Sequence, residues 1–266
     1  MTAPVLKDVA KYAAFSRVAI AQVRHQFGDL AGRVAFFAVV LGVFSSLWRA
    51  VAEAGLPMGA DPKQLLWYLA ITEWITLSTP QVHLDIQETI RGGDVIYRLG
   101  RPASFVLGEL ATGLGLLAVR LPVLGLAAVV FASWFTGWVP SPASLVIVVP
   151  FGIAAAAMLT ALHVWIGLLA FWLQDVSPVY WVCQKLLFVL GGMMLPLHLY
   201  PDAVQRVAAL TPFPVLLAAP GSFVFGAAMF APAALAVRLA LWCGVIALGM
   251  RWTFTRAAAG VTINGG

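Results

Sequence analysis

Ionisable side chains inside long apolar stretches are the first candidates for chemistry in this sequence. Glu73 lies in such a stretch, where a charged side chain costs about 2.5–3.5 kcal/mol at the centre of a membrane unless it faces protein or water. Glu73 is therefore a candidate either for lining or gating a transport pathway or for an ion pair that holds helices together. Arg120 is the expected counter-charge, and Glu109 is a less favoured partner.

Three more residues in apolar stretches are candidates for the same pathway: His163, Met193 and Met194. A histidine in such a position more often bonds a neighbouring helix than a ligand, and a methionine more often packs against lipid than against cargo. For each of the three residues, a role in the pathway and a structural role are both retained as interpretations.

No catalytic motif accompanies these side chains. The sequence contains no Walker loop, no HExxH, no GxSxG and no CxxC. Its four histidines are far apart in sequence, and its two cysteines lie in apolar runs without metal-ligand spacing. We therefore expect a chain that is not an enzyme and holds no cofactor or metal of its own. Transport is favoured by elimination, driven either by ions or by a partner protein.

The composition predicts a membrane protein built of helices. Hydrophobic residues make up 62% of the 266 positions and charged residues only 10%, whereas soluble domains are about a quarter charged. A helix that crosses the membrane needs about 20 apolar residues. We predict an all-α polytopic fold in which the stretch at 103–138 is one long, tilted or broken helix. The six expected spans are 30–51, 62–79, 103–138, 145–173, 179–195 and 233–252.

Two segments beside the spans have patterns of their own. Residues 1–28 place apolar side chains on one face and basic ones opposite or beside it, which predicts an amphipathic helix in the inner membrane interface; a soluble helix packed on a partner is the alternative. Residues 29–266 would form the membrane domain. Within it, residues 196–228 carry five prolines, which exclude a single straight helix and predict short re-entrant helices in the outer leaflet.

Residues 80–102 form a charged segment between two apolar stretches. Lysine and arginine concentrate in this segment and near both termini, so the positive-inside rule places all three in the cytoplasm. The same rule accounts for the net charge of +5 without nucleic acid. A helix over 84–91, a break at Gly92-Gly93 and a second turn capped by Asp94 would transmit motion from a soluble motor; an ordinary solvated loop is the alternative. The residues expected to contact such a motor are Asp85, Glu88, Arg91, Asp94, Tyr97 and Arg98.

Three sequence runs carry a resemblance to a known family. The run IRGGDVIYRLGRPASF is similar to the "I..G.....L.RP" segment of type-2 ABC exporter permeases. The run GGMMLPLHLYP, followed by LTPFP and Pro220, is similar to the outer segment of the same family. The closing Asn264-Gly-Gly resembles the tails of its bacterial subfamily with separately encoded permease and ATPase.

The resemblance implies an interfacial N-terminal helix, six spans, a cytoplasmic coupling helix after the second span and re-entrant outer helices before the sixth. It also implies that two six-span permeases, either related chains or two copies of one chain, stand over two cytosolic ATPases that hold ATP and Mg²⁺. The expected location is the bacterial inner membrane, with both termini in the cytoplasm and membrane lipids around the spans.

The leading hypothesis is therefore a permease subunit of an ATP-driven exporter. Its cargo would be amphipathic or lipid-like, because the spans offer few polar groups for a hydrophilic solute. Alternatives are an ion-coupled secondary transporter with Glu73 as the proton carrier, an intramembrane enzyme, or a scaffold that transports nothing.

Overall fold

The computed structural model describes residues 3–23, 27–56, 58–100, 102–226 and 228–264. Within these ranges the regular structure is helical and no strand occurs, which confirms the all-α prediction. Short 3₁₀ turns follow α7, precede α9 and follow α11. The α-helices are α1 (Ala3–Gln22), α2 (Phe27–Glu53), α3 (Pro62–Ser78), α4 (Val82–Arg91), α5 (Val95–Leu99), α6 (Phe105–Thr136), α7 (Pro142–Leu168), α8 (Ser177–Leu190), α9 (Asp202–Ala209), α10 (Phe213–Leu216), α11 (Ala218–Ser222) and α12 (Pro232–Asn264).

Four helices in the described part of the chain are long and apolar enough to cross a membrane: α2, α6, α7 and α12. The second expected span corresponds to α3, which has 17 residues, and the fifth to α8, which has 14. At 1.5 Å per residue these measure about 26 and 21 Å, less than the roughly 30 Å of a bilayer core. A multi-pass membrane protein is thus supported, while six complete spans remain a prediction.

The fifth expected span, 179–195, is too long by five residues at its end. Helix α8 stops at Leu190, and Gly191 and Gly192 follow it. Gly192 has φ +64°, a left-handed conformation that costs glycine little and other residues about 1 kcal/mol or more. The chain therefore turns at Gly192 and cannot continue as a helix.

Helix α6 is continuous over its 32 residues, although Pro122 lies inside it. The expected long helix is present, and it is not broken. Its length is about 48 Å at 1.5 Å per residue, so it must tilt or extend beyond the hydrocarbon. Helix α6 packs along α1 and also contacts α4.

Helix α3 lies at the centre of the molecule, and every residue from Leu65 to Ile75 is buried. It begins as the sequence predicts, with Asp61 accepting a hydrogen bond from the Lys63 amide at 2.7 Å and proline at the first helical position. Trp74 fits against a glycine of α6, since a Cβ at Gly125 would lie 3.1 Å from its Nε1. The core is therefore assembled around α3.

The N-terminal helix α1 packs along α6. The Ser16 hydroxyl donates to the Ala111 carbonyl at 2.7 Å, and a Cβ at Gly115 would lie only 2.6 Å from the Ser16 carbonyl oxygen. Other apolar side chains of α1, including Val9 and Val18, are exposed. Helix α1 is therefore held by α6 on one side, and its place in the membrane interface remains a prediction.

The proline-rich segment at 196–228 contains the short helices that its prolines predict. Every residue from Phe213 to Ser222 is buried, chiefly against α3 and α7. Helix α3 also fixes the turn after α8, because Tyr68 donates to the Gly192 carbonyl and Thr72 donates to the Met193 carbonyl at 2.6 Å. These broken helices are packed against protein, and their place in the outer leaflet remains a prediction.

Candidate functional site

The charged segment between α3 and α6 folds into two short helices, α4 and α5. Gly92 and Gly93 separate them as the sequence predicts, and Gly93 has φ +79°. One detail is wrong: the Asp94 side chain makes no capping hydrogen bond at the start of α5, because its backbone already has helical angles there. The segment is therefore a packed structural unit attached to the membrane domain.

The inner face of α4 lies directly on α7. A Cβ at Gly167 would lie 2.9 Å from the Ile86 Cβ and 3.1 Å from the His83 Cα, so the two helix backbones approach closely only because residue 167 is glycine. The His163 Nδ1 atom is 3.0 Å from the Pro80 carbonyl oxygen just before α4. Helix α4 is therefore fixed to the end of α7.

Three buried rings connect α4 with α7 and α8. The His83 ring stacks on Tyr180 at 4.0 Å between centroids, and His163 contacts both rings edge-on at 5.3 Å. The Tyr180 hydroxyl accepts from Gln81 at 3.3 Å, and the Gln87 side chain accepts from the Val176 amide at 2.6 Å. Displacing α4 would thus disturb α7 and α8 as well.

His83 was not among the residues singled out from the sequence. Only the tertiary fold shows its role, because its ring partners lie about 80 and 97 residues further along the chain. The Nδ1 atom of His83 is buried and has no hydrogen-bond partner within the described residues. Burial, and to a smaller extent His163, lower the pKa of His83 to about 3. The ring is therefore neutral at physiological pH.

This depressed pKa predicts that acid loosens α4. An unfolded histidine titrates near 6.5, so below that pH the displaced form binds a proton that the packed form excludes until about pH 3. The stabilisation is complete above pH 6.5 and is lost as the pH falls towards 3. At pH 5 we expect a loss of about 2 kcal/mol, or about thirtyfold faster exchange of α4 amides after correction for intrinsic rates.

The measurement is hydrogen exchange of α4 at pH 7.5 and pH 5. The control is His83→Phe, which keeps a ring on Tyr180 and removes the titrating group. An equal pH response in that variant would exclude His83 as its cause, and a His163→Phe variant would then show whether the neighbouring ring is responsible.

The outer faces of α4 and α5 expose apolar side chains in a segment of high charge. Leu84 is 40% exposed, Ile96 64% and Tyr97 78%. Of the six residues predicted to contact a motor, Arg91 and Tyr97 also lie exposed on this surface. We call the surface formed by Leu84, Arg91, Ile96 and Tyr97 the docking face.

The other four predicted contact residues are placed differently. Asp85, Glu88, Asp94 and Arg98 line a cavity beside α1 and α6, and Glu88 also borders the docking face beside Leu84 and Arg91. Arg98 is also bonded to Glu109 in the second turn of α6. This pair links the short helices to α6, which the sequence does not indicate because the two residues belong to different elements.

Arg120 is not the counter-charge of Glu73. Its Nη2 atom lies 3.0 Å from the Asp29 carboxylate, which also accepts from the Arg33 Nε at 2.9 Å. Glu109 pairs with Arg98, so the second expected partner of Glu73 is also wrong. The Glu73 side chain is buried in α3 and makes no hydrogen bond or ion pair with the described residues.

The remaining pathway candidates lie in two places. His163 belongs to the cluster of three rings under α4, formed by His83, His163 and Tyr180 and called the ring cluster below, which supports the interhelical interpretation. Met193 and Met194 are half-buried in the turn after α8, where the Met193 carbonyl accepts from Thr72, the neighbour of Glu73. The structure thus brings Met193 close to α3 through its backbone. A role of these residues in a pathway stays a prediction.

Two comparisons with known proteins bear on the family of this chain. No curated protein matches the chain. The model of a family described as ABC-2 family transporter protein matches residues 63–258. The matched range is well over half of the chain, and it runs from α3 into α12. It includes the docking face, the ring cluster and the short helices of the proline-rich segment.

Proposed function

The chain belongs to the ABC-2 transporter family, and we propose that it is the permease subunit of an ATP-binding-cassette exporter. In this proposal a separate cytosolic ATPase binds the docking face on α4 and α5. ATP and Mg²⁺ belong to that ATPase, and this chain has no catalytic role. In the same proposal the subunit lies in the bacterial inner membrane with both termini in the cytoplasm.

The observation that carries the proposal is the apolar character of the docking face. Ile96 and Tyr97 are the most exposed large hydrophobic side chains of the charged segment, and a segment so polar lies in water, where no lipid covers them. Exposed aromatic and aliphatic anchors of this kind are typical of protein contacts, with tyrosine among the most frequent hot-spot residues. A soluble partner accounts for them.

The contacts beneath the docking face give motion a route into the membrane domain. Helix α4 is attached to α7 and α8 through the ring cluster, and α5 is attached to α6 through Arg98 and Glu109. A displacement of α4 and α5 by the ATPase would therefore reach three helices at once. This arrangement supports a coupling role for the segment.

The side chains of the spans support the proposals for a second permease and for the cargo. Apolar side chains are exposed along α2 and α12, among them Val39, Leu241 and Leu248. Lipid and a second permease, either a related chain or a second copy, would cover them. The spans contain few polar groups, so the proposed cargo is amphipathic or lipid-like.

Replacing Ile96 and Tyr97 by alanine tests the docking face. We expect at least a tenfold loss of ATPase association, because truncating a central aromatic anchor costs about 2 kcal/mol or more. The measurement is co-purification of a Walker-containing subunit from native membranes in mild detergent. Leu210→Ala is the matched control, since Leu210 is 81% exposed but lies on the opposite side of the membrane in our topology.

A second double variant, Glu88→Ala with Arg91→Ala, tests the charged residues around the docking face. Unchanged assembly and coupled transport in both double variants would exclude α4 and α5 as the binding site. Transport by the chain alone, driven by a pH gradient and abolished by Glu73→Gln, would instead support an ion-coupled transporter.

A further inference from the structure

A cavity of about 860 Å³ lies beside α4, next to the docking face, and Glu88 borders both. Its walls come from α1, α4, the segment 94–105 and the first three turns of α6. The deepest α6 residue in its lining, Leu116, is 11 positions after Phe105, which is about 17 Å along a helix. The cavity therefore extends from the cytoplasmic segment towards the depth of the inner leaflet.

One wall of the cavity is apolar. Helix α1 contributes Phe15, Val18 and Ala19, and α6 contributes Phe105 and Leu116. The close contact of α1 with α6 at Gly115 fixes this wall. Its chemistry suits a hydrocarbon chain or an aromatic group.

The other wall carries excess negative charge. Four carboxylates line it, those of Asp85, Glu88, Asp94 and Glu109, against the single guanidinium of Arg98. Arg98 is bonded to Glu109, so three carboxylates lack a cation in the lining, and none of the three makes an ion pair with the described residues.

Asp85 shows the effect of this imbalance. Asp85 is exposed, yet burial by the surrounding protein and, to a smaller extent, Glu88 raise its pKa against the opposing effects of Arg120 and Arg98. A cation placed here would relieve the repulsion between these carboxylates. The lining thus favours positive charge beside an apolar surface.

We infer that this cavity binds the cationic group of an amphiphile whose apolar part lies against the α1–α6 wall. The inference rests on the proposed function and deepens it, because it names a cationic amphiphile as the cargo class. Leu84, Ile96 and Tyr97 do not line the cavity, so a bound amphiphile and a docked ATPase would occupy adjacent faces of the same segment, with Glu88 at the edge between them. Cargo in the cavity would contact the helix that the ATPase moves.

Two ions of similar shape and opposite charge test the inference. The purified chain is placed in phosphatidylcholine nanodiscs and titrated with tetraphenylphosphonium or tetraphenylborate, and protein-free discs are used to subtract partitioning into lipid. We expect saturable binding of the cation alone. Asp85→Asn should weaken it at least tenfold, whereas Glu53→Gln, which removes an acid at the far end of α2, should leave it unchanged.

A second variant tests the cavity without changing its charge. Ala14 lines the cavity from α1, and tryptophan at that position would fill it. Ala14→Trp should also weaken tetraphenylphosphonium binding at least tenfold while thermal unfolding and helix content stay near those of the parent protein. If both variants unfold, comparing the binding of the cation with that of the anion to the parent chain still tests the inference.

A cationic lipid shows whether the amphiphile that binds in the cavity is a membrane lipid or a free hydrophobic cation. Discs containing dioleoyl trimethylammonium propane should compete with tetraphenylphosphonium when the cavity accepts lipid headgroups, and should not compete when it takes only free hydrophobic cations. Either result is consistent with a cationic site. Equal binding of both ions, or unaltered cation binding in folded Asp85→Asn and Ala14→Trp, would overturn it.

The isolated chain suffices for these titrations, so their outcome is independent of the ATPase. A failure of cation binding with normal ATPase assembly would remove the cargo class alone. A failure of assembly with normal cation binding would remove the proposed coupling alone.

Discussion

Replacing Asp29 by asparagine is expected to lower the stability of the protein by about 2 kcal/mol. The Asp29 carboxylate neutralises two guanidinium groups, at 2.9 Å from Arg33 and 3.0 Å from Arg120. Removing the partner of a buried charge costs about 3–5 kcal/mol, and we reduce that figure because the Asp29 side chain is 45% exposed and water screens part of the charge.

The loss should come mainly from Arg120. This side chain is buried in α6, and its Nη1 atom has no hydrogen-bond partner among the described residues even with Asp29 present. Without the carboxylate, Arg120 and Arg33 would be like charges close together in a poorly hydrated place. Asparagine keeps the shape of the side chain but not its charge, so the variant isolates electrostatics.

The measurement is thermal unfolding of the purified protein in detergent, in which 2 kcal/mol corresponds to a lower melting temperature by about 4–8 °C. Glu53→Gln at the other end of α2 is the control and should shift the melting temperature by less than about 2 °C. A second substitution decides the mechanism. Arg120→Met in the Asp29→Asn background should restore most of the loss, because it removes the uncompensated buried charge and keeps a similar volume.

An equal loss in the Asp29→Asn and Asp29→Asn/Arg120→Met proteins would contradict this account. The carboxylate would then act through Arg33 or through the first turn of α2, where an acidic side chain also favours the helix dipole.

Local signals in the sequence predict where helices begin and where they break. Asp61 followed by proline marks the start of α3, and the glycine pair at 92–93 separates α4 from α5. Such signals act within one turn of the chain, so they can be recognised in the sequence. The equivalent pair Gly191-Gly192 carries the same information about the end of α8, and treating it as part of a span placed that helix end five residues too late.

Contacts between distant parts of the chain could not be predicted in the same way. Glu73 and Arg120 stand out as isolated charges in apolar sequence, and pairing them requires knowing which helices meet. Asp29 bonds Arg120 across 91 positions, and it does not stand out in the sequence because it lies near other polar residues. The same reason hides the contact of Arg98 with Glu109 and the stacking of His83 on Tyr180.

Gly167 is expected to be the position where a small substitution has the largest effect on coupling. An alanine there would place its Cβ 2.9 Å from the Ile86 Cβ and 3.1 Å from the His83 Cα, and neither atom is the free end of a flexible side chain. Overpacking of this kind costs about 1–3 kcal/mol. Helix α4 can yield more easily than the buried α7, so we expect it to separate from α7.

Under the proposed function, the expected result is a transporter that hydrolyses ATP without moving cargo. If the cost of about 2 kcal/mol falls on the α4–α7 contact, the ratio of packed to displaced α4 falls about thirtyfold, and the transport of cargo per ATP hydrolysed should fall as the displaced form becomes populated. The measurement is that ratio in vesicles containing this chain, its partner permease and the ATPase. The series Gly167→Ala, Gly167→Ser and Gly167→Val should lower it in order of side-chain size.

Gly244→Ala in α12 is the matched control, because no atom lies within 4 Å of a Cβ at that position and alanine favours a helix over glycine by about 1 kcal/mol. Coupling and stability should both be preserved there. Gly167 lies beneath α4 and not on the docking face, so the ATPase should still bind the Gly167 variants through Ile96 and Tyr97. Normal coupling in a folded Gly167→Val protein would show that α4 does not transmit force through α7, and Arg98 with Glu109 would then be the remaining connection from the docking face to the membrane domain.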